Sequence, residues 1–445
     1  MRAKLLIAIV APVLVAAACT ASGGGSTPTP IATGSTSASP EPVTVTVWAY
    51  WSGRELKEFT AMFDRLHELE PWITVEVSGG VDDAKILAAI NSGQPPDVAV
   101  SSDMNQIPNL CSSGAWQDLQ PSIDSDQLDM AQFPPSAVEF TQYQGVQCAM
   151  PFTADAYGLY YNTDLFQKAG ITSPPKTWSE MTADVKKLTV FNPDGSIKVA
   201  GFVPWMGYYE TNAVTLGVPA GASWYDANGK STLATDAHWK ALLEWQKGLI
   251  DFYGADNLQR FVAGAGNEFS SAQDLQSGRV AMNLDGEWRV AFVQDGNPDL
   301  HYATAPFPVP DDAPNTYGVG QIGLGIIGVP RGADHSDAAW DVVKYLATDT
   351  QNLVYLGNVV KNIPTTLAAL QSPDLNTPSQ FQAFLDMYAN PGSTYKGTTL
   401  IGSGDVDIFQ RFIDQWQTGQ VTDLQGGLEQ VAKQIDDTVA QASGP

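Results

Sequence analysis

The run from Val43 to Val100 constrains the fold more than any other part of the chain. "VTVTVWAYW" (43–51) is β-branched and aromatic, "ELKEFTAMFDRLHELEPW" (55–72) repeats apolar residues at helical spacing, and "ITVEV" (73–77) alternates again. "DDAKILAAINSGQPPDVAV" (82–100) repeats the theme, with a short amphipathic helix, a turn at Gly93 and two prolines, and a strand. Strands alternating with helices predict a doubly wound α/β layer with a mostly parallel sheet. Ligands bind beyond the carboxyl ends of such strands, which puts the loops "AYWSGR" and "SSDMNQ" on one rim.

The N-terminus has a different logic. Arg2 and Lys4 precede an apolar segment from Leu5 to Ala18 that leads through Ala16, Ala17 and Ala18 into Cys19. That layout predicts a secretory signal, too short to cross a membrane, over residues 1–18. The small residues before Cys19 resemble the lipobox of bacterial lipoproteins, in which cleavage leaves the cysteine as a lipidated N-terminus; Ala16 stands where that pattern usually has Leu. Thr20 to Pro42 is nearly all Gly, Ser, Thr, Pro and Ala, which buries too little surface to fold. Residues 19–42 therefore read as an anchor and a tether spanning roughly 25 Å. The expected location is the outer face of the bacterial cytoplasmic membrane.

Beyond Pro42 about 400 residues remain, enough for two lobes. The formal net charge of −25, with 48 acidic against 23 basic residues and no basic cluster, argues against a nucleic-acid partner. With Cys19 assigned to lipid, Cys111 and Cys148 form an even pair in an oxidising compartment, and a disulfide between them is expected. His67, His238, His301 and His335 show no ligand spacing, so neither a metal nor a cofactor is expected.

Farther along, Thr177 and Glu180 form a capping box for a helix in "PPKTWSEMTADVKKL". "WYDANGKSTL" (224–233) reads as a hairpin turn, and 236–253 and 338–356 read as amphipathic helices. "GVGQIG" (318–323) satisfies a dinucleotide pattern, but its sequel "LGIIGVP" is a strand rather than a helix start, which excludes that role. "GKST" lacks the upstream glycine of a phosphate loop, because Trp224 occupies its place. Neither a G-x-S-x-G elbow nor an H-E-x-x-H pair occurs.

Six segments in order carry a family likeness: "VTVWAYWSG", "INSGQPPDVAV", "CAMPFTADAYGLYYNTDLFQKAGI", "PPKTWSEM", "LQSGRVAMNLDGEW" and "NIPTT". Together they resemble the carbohydrate-type extracellular solute-binding proteins of ABC importers, over nearly all of the chain beyond the tether. The resemblance implies a monomer with two α/β lobes, each a mostly parallel sheet flanked by helices, a ligand cleft between them and hinge closure. The crossings then fall near 152–156, 318–325 and 372–377, giving lobes of 43–153 with 325–374 and of 154–324 with 375–445. It also implies delivery of a small carbohydrate to ABC permease subunits, with no chemistry performed.

A sugar offers apolar faces to aromatic planes and hydroxyls to carboxylates and amides. By resemblance Asp155, Tyr157, Trp288 and Asp103 are cleft residues, with Asp285 and Glu287 beside them in "NLDGEW". The first rim loop adds Tyr50, Trp51 and Ser52, and the neighbouring loops add Asn105 and Gln321. Trp205, Tyr208 and Tyr209 sit in the Gly- and Pro-bounded loop "VPWMGYYE", where core burial is hard. Trp239 and Trp245, on an amphipathic helix, read as packing. Two other readings stand beside this one: the same fold binding a glycerol-phosphate ester, which calls for Arg or Lys in the cleft, and a secreted glycoside-processing enzyme, which needs two carboxylates about 5 to 10 Å apart.

Overall fold

The strand Val43–Ala49 buries Val45, Val47 and Ala49 and turns its threonines outward, as period-two alternation requires. It pairs in parallel with Ile73–Ser78 on one side and Val98–Ser101 on the other. Helix Gly53–Leu69 covers this sheet with Phe59, Met62, Phe63 and Leu66, one stripe at i, i+3, i+4 and i+7. The next helix, Asp83–Ser92, starts at Asp82, whose carboxylate accepts from the Lys85 amide, and stops at Gly93 in the left-handed conformation (φ 74°). This computed structural model describes residues 41–444. The signal segment, Cys19 and nearly all of the tether lie outside the described residues.

The architecture turns on the 13-residue strand Met150–Asn162. Its first half pairs antiparallel with Ile322–Gly328, which in turn joins Val98–Ser101 and so the N-terminal sheet. Its second half leaves that partner and pairs with Met282–Gly286 on one side and Tyr302–Ala305 on the other. One strand thus belongs to both halves of a curled, mixed sheet, the two-lobed arrangement the resemblance implies. The partner change falls at Ala156 and Tyr157, between two of the expected cleft residues.

The sequence-based expectation of a mostly parallel sheet in each lobe needs correction. Parallel order holds for the three N-terminal strands, whereas both neighbours of the second half of Met150–Asn162 run antiparallel to it. There the parallel contacts among the described residues are single bridges, Ala200 with Val280, Thr177 with Val309 and Gln321 with Thr394. Local periodicity reports that a segment is extended and says nothing of the direction of its partner. The helix expected over 338–356 is also two helices, Ser336–Thr348 and Thr350–Tyr355, because the Asp349 carboxylate caps the second at Asn352.

Other expectations match. Thr177 and Glu180 form the capping box, Tyr225 bridges Ser231 across the hairpin turn, and Ala237–Tyr253 is a helix started by Asp236. Trp239 is fully buried against Trp224 and Phe409, and Trp245 stacks on Trp178. Cys111 and Cys148 are joined by a disulfide that closes a 37-residue separation.

Candidate functional site

Five chain segments meet at one place. The first strand runs into Tyr50, Trp51 and Ser52, and the third into Ser102 and Asp103. Asp155 and Tyr157, two apart on the long strand, point to the same face of the sheet. Gly286 pairs with Tyr157, so Trp288 follows directly and stands edge-on to the Tyr157 ring at 5.6 Å. Asn362 precedes the short strand Ile363–Pro364, which pairs with Ala154 and Thr153.

These segments enclose two adjoining cavities of about 400 and 290 Å³, which share Ser102, Asp155, Tyr157 and Glu210. The larger is walled by Tyr50, Tyr157, Trp288, Phe269 and Phe292, with Glu55, Asp155, Glu210 and Asn362 as polar groups. Phe269 is 55% exposed there, a large apolar face open at the cavity edge. The smaller is lined by Asp103, Asn105, Asn212, Gln321, Tyr395 and Ser403, among others. Two glycines make the walls possible. A Cβ on Gly286 would lie 2.3 Å from the Trp288 ring, and one on Gly325 would lie 2.2 Å from Thr153 Oγ1. The hinge-strand glycine at 325 therefore serves close approach of the backbone.

Behind the aromatic wall lies a network of buried carboxyl groups. Asn362 Nδ2 donates to Asp155 Oδ1 (3.0 Å) and to Glu287 Oε1 (3.2 Å), and the Ala156 amide donates to Glu287 Oε2 (3.0 Å). Burial, and then the neighbouring Asp155, push the Glu287 carboxyl well above its usual range. Burial also raises the neighbouring Asp155, against the pull of the Glu287 and Asn362 side chains. Asp285 and Arg289 form a fully buried ion pair (Nε to Oδ2, 2.7 Å), and Arg289 Nη1 donates to the Glu268 carbonyl (2.7 Å). Burial and the charge of Glu268 raise Glu210 strongly, and burial lifts Glu55 to about 7 against the opposing pull of Arg54.

Of the residues singled out from sequence, Tyr50, Trp51, Ser52, Asp155, Tyr157 and Trp288 line the larger cavity. Asp103, Asn105 and Gln321 line the smaller one. Trp51 gives the cavity only an edge, being 3% exposed and packed against Phe59 and Phe152. Trp205, Tyr208, Tyr209, Asp285 and Glu287 line neither cavity. Tyr208 is drawn inward by Asp274 (2.8 Å), and Tyr209 donates to the Gly266 carbonyl (2.9 Å). Asp285 and Glu287 hold Arg289 and Asp155 from behind rather than facing the space. Glu210, Asn362, Phe269 and Glu55 escaped the sequence reading. Glu210 directly follows the aromatic loop that was singled out, so it had a signal in its position.

The smaller cavity is bridged from across the cleft. Ser403 donates to Asp103 Oδ2 (2.9 Å) and accepts from Asn105 Nδ2 (3.1 Å). At the mouth of the larger one Arg54 Nε donates to Asp295 (2.5 Å). These contacts hold the two sides together without a ligand group. Among the described residues no cluster of His, Cys, Asp and Glu could hold a metal ion, and no helix is long and apolar enough to cross a membrane.

Residues 50–353 match the family model described as bacterial extracellular solute-binding protein. The maltotriose-binding protein of Pyrococcus abyssi is 24% identical over 370 residues, 81% of this chain and 76% of that protein. The maltooligosaccharide ABC transporter solute-binding lipoprotein of Streptococcus pneumoniae TIGR4 is 26% identical over 296 residues, 63% of this chain and 62% of its own. Among solved structures, CpMnBP1 with mannotriose bound superposes with a TM-score of 0.79 at 24% identity, covering 88% of this chain and 99% of that one. The sugar-binding protein MalE from Xanthomonas citri gives 0.71 at 18% identity, over 90% and 98%. At these identities the structural likeness is one of fold.

Proposed function

The chain belongs to the bacterial extracellular solute-binding protein family, and from that premise we propose that it captures a short oligosaccharide and hands it, unaltered, to a membrane permease of the ABC type. The observation that carries this reading is the cleft itself. Aromatic side chains at Tyr50, Tyr157, Trp288 and Phe269 share the walls of two joined cavities with carboxyl and amide groups, the combination that sugar rings require. Relatives whose names specify maltotriose and maltooligosaccharides, and a fold neighbour holding mannotriose, support the same ligand class.

Binding without chemistry is favoured over glycoside processing because the matching family and relatives are named as binding proteins; Glu287, which shares Asn362 with Asp155, is fully buried with no face on the cavity. The two are held together by Asn362 rather than spread across a scissile bond. A phosphate ester is disfavoured because Arg54, the one basic residue on the larger cavity among the described residues, is already bound to Asp295. The lobes we assign are 43–153 with 325–374 and 154–324 with 375–445, swinging about the partner change in the long strand. The site residues proposed to touch ligand are Tyr50, Ser52, Asp155, Tyr157, Glu210, Trp288, Phe269 and Asn362. Delivery at the membrane surface follows from a lipidated Cys19, as in the pneumococcal relative named a lipoprotein.

Isothermal titration of the folded body with maltotriose, mannotriose and longer homologues tests the ligand class. Saturable heat with one-to-one stoichiometry is expected, and an absence of binding across the series refutes it. Cys19→Ala should release the protein into the medium, whereas retention at the membrane refutes the anchor.

A further inference from the structure

Three amide side chains on the cavity walls share one property. Asn362 Nδ2 donates to the carboxyls of Asp155 and Glu287, Asn105 Nδ2 donates to Asp103 Oδ1 (2.7 Å), and Gln321 Nε2 donates to the Ile322 carbonyl (2.6 Å). Each nitrogen donates to a carboxyl or carbonyl oxygen, which sets the orientation of the amide. The opposite ends, Asn362 Oδ1, Asn105 Oδ1 and Gln321 Oε1, are buried and have no partner among the described residues. The three residues are 3%, 7% and 2% exposed, and all line the cavities. A buried acceptor left unmet is expensive, about 1–3 kcal/mol, so the walls of both cavities are short of donors.

The charged groups point the same way. Glu55, Asp155 and Glu210 line the larger cavity, and the side chains of Glu55 and Glu210 accept no hydrogen bond among the described residues. Arg54 faces them with its charge already spent on Asp295, and the buried Arg289 is spent on Asp285. Among the described residues the unmet buried donors on the larger cavity are Arg54 Nη1 and Trp288 Nε1.

We infer that the cleft selects carbohydrates bearing a protonated amine over neutral sugars, and rejects phosphorylated or carboxylated ones. The inference rests on the carbohydrate reading above and sharpens its ligand. A sugar hydroxyl brings one donor and two acceptor lone pairs, and on the larger cavity those lone pairs find few donors beside the three carboxyls. An ammonium brings three donors, no acceptor and a positive charge, and beside it Glu55, Asp155 and Glu210, whose carboxyls burial raises above their usual range, give up their protons and pair with it. An anionic substituent would sit among three carboxyls and drive them further above their usual range, a cost in a space shielded from water.

The test is isothermal titration at pH 7 with matched pairs. Maltotriose and cellotriose are each measured beside the derivative carrying 2-amino-2-deoxy at one ring, beside its N-acetyl form, and beside glucose 6-phosphate and glucosamine. In whichever linkage series binds, the amine is expected to bind at least tenfold tighter than the neutral parent, and N-acetylation is expected to remove the gain. Glu210→Gln should shrink the amine preference to under threefold; Glu55→Gln, at the cavity edge, makes the same test if the first variant does not fold. Equal or tighter binding of the neutral parent overturns the inference and leaves the carbohydrate reading standing. A preference that survives both variants overturns the assignment to these carboxylates. Binding by no member of the panel overturns both.

Discussion

Replacing Arg289 by Met isolates the charge that holds the site together. Arg289 and Asp285 are both fully buried, joined at 2.7 Å, four residues apart across the turn that presents Trp288. Met keeps most of the volume and removes the cation. Asp285 would retain only the Asn283 side chain (3.1 Å) and the Gly286 amide (3.0 Å). An unpaired buried carboxylate of this kind costs about 3–5 kcal/mol. The carboxyl would respond by moving further above its usual range, since burial already raises it and the guanidinium is what opposes that rise. A carboxyl whose folded pKa lies above its unfolded value binds more protons when folded, so stability falls as pH rises between the two values. The deficit of the variant is therefore expected to be about 3–5 kcal/mol at pH 7 and clearly smaller at pH 5. Urea unfolding of the folded body at both pH values measures it. The double variant Asp285→Asn with Arg289→Met should recover most of the loss. A deficit under about 1 kcal/mol at pH 7, or one equal at the two pH values, would refute the ion pair as the support of this wall.

Other perturbations probe separate parts of the account. Trp288→Ala should weaken oligosaccharide binding at least tenfold, about 1.4 kcal/mol, by calorimetry; unchanged affinity removes it from the site. Burial lifts both Glu55 and Glu268 to about 7, so the unliganded protein should lose stability as pH rises from 5 to 7. Glu55→Gln should remove about 2 kcal/mol of that loss, and an unaltered pH slope contradicts its assignment. Changing Cys111 and Cys148 to Ser should lower stability by about 4 kcal/mol, the chain-entropy value for a 37-residue separation; two free thiols in the native protein by non-reducing mass spectrometry would contradict the bond.

The N-terminal βαβ units could be read from sequence because their signals are local: Val45, Val47 and Ala49 alternate, and Phe59, Met62, Phe63 and Leu66 share one helix face. Strand direction in the other lobe could not, since the partners of Tyr157–Asn162 lie more than a hundred residues away. Rim residues such as Tyr50, Ser52 and Asp103 were legible as strand ends. Glu210 was one of 48 acidic residues and gained its meaning from the backbone: Tyr209, at φ 47°, turns the chain so that the glutamate and not the tyrosine meets the cavity. Asn362 and Phe269 sit in irregular segments with no periodicity to mark them.

The central claim, that this chain binds a carbohydrate and releases it unchanged, is met most directly by one experiment. The folded body is incubated with excess oligosaccharide, its thermal midpoint recorded, and the sugar recovered and weighed by mass spectrometry. Ligand at 100 times its dissociation constant stabilises the native state by about 2.7 kcal/mol, so a rise in midpoint with every sugar molecule recovered intact is the predicted result. A rise accompanied by shortened or transferred sugar would contradict it, and so would no rise with any carbohydrate.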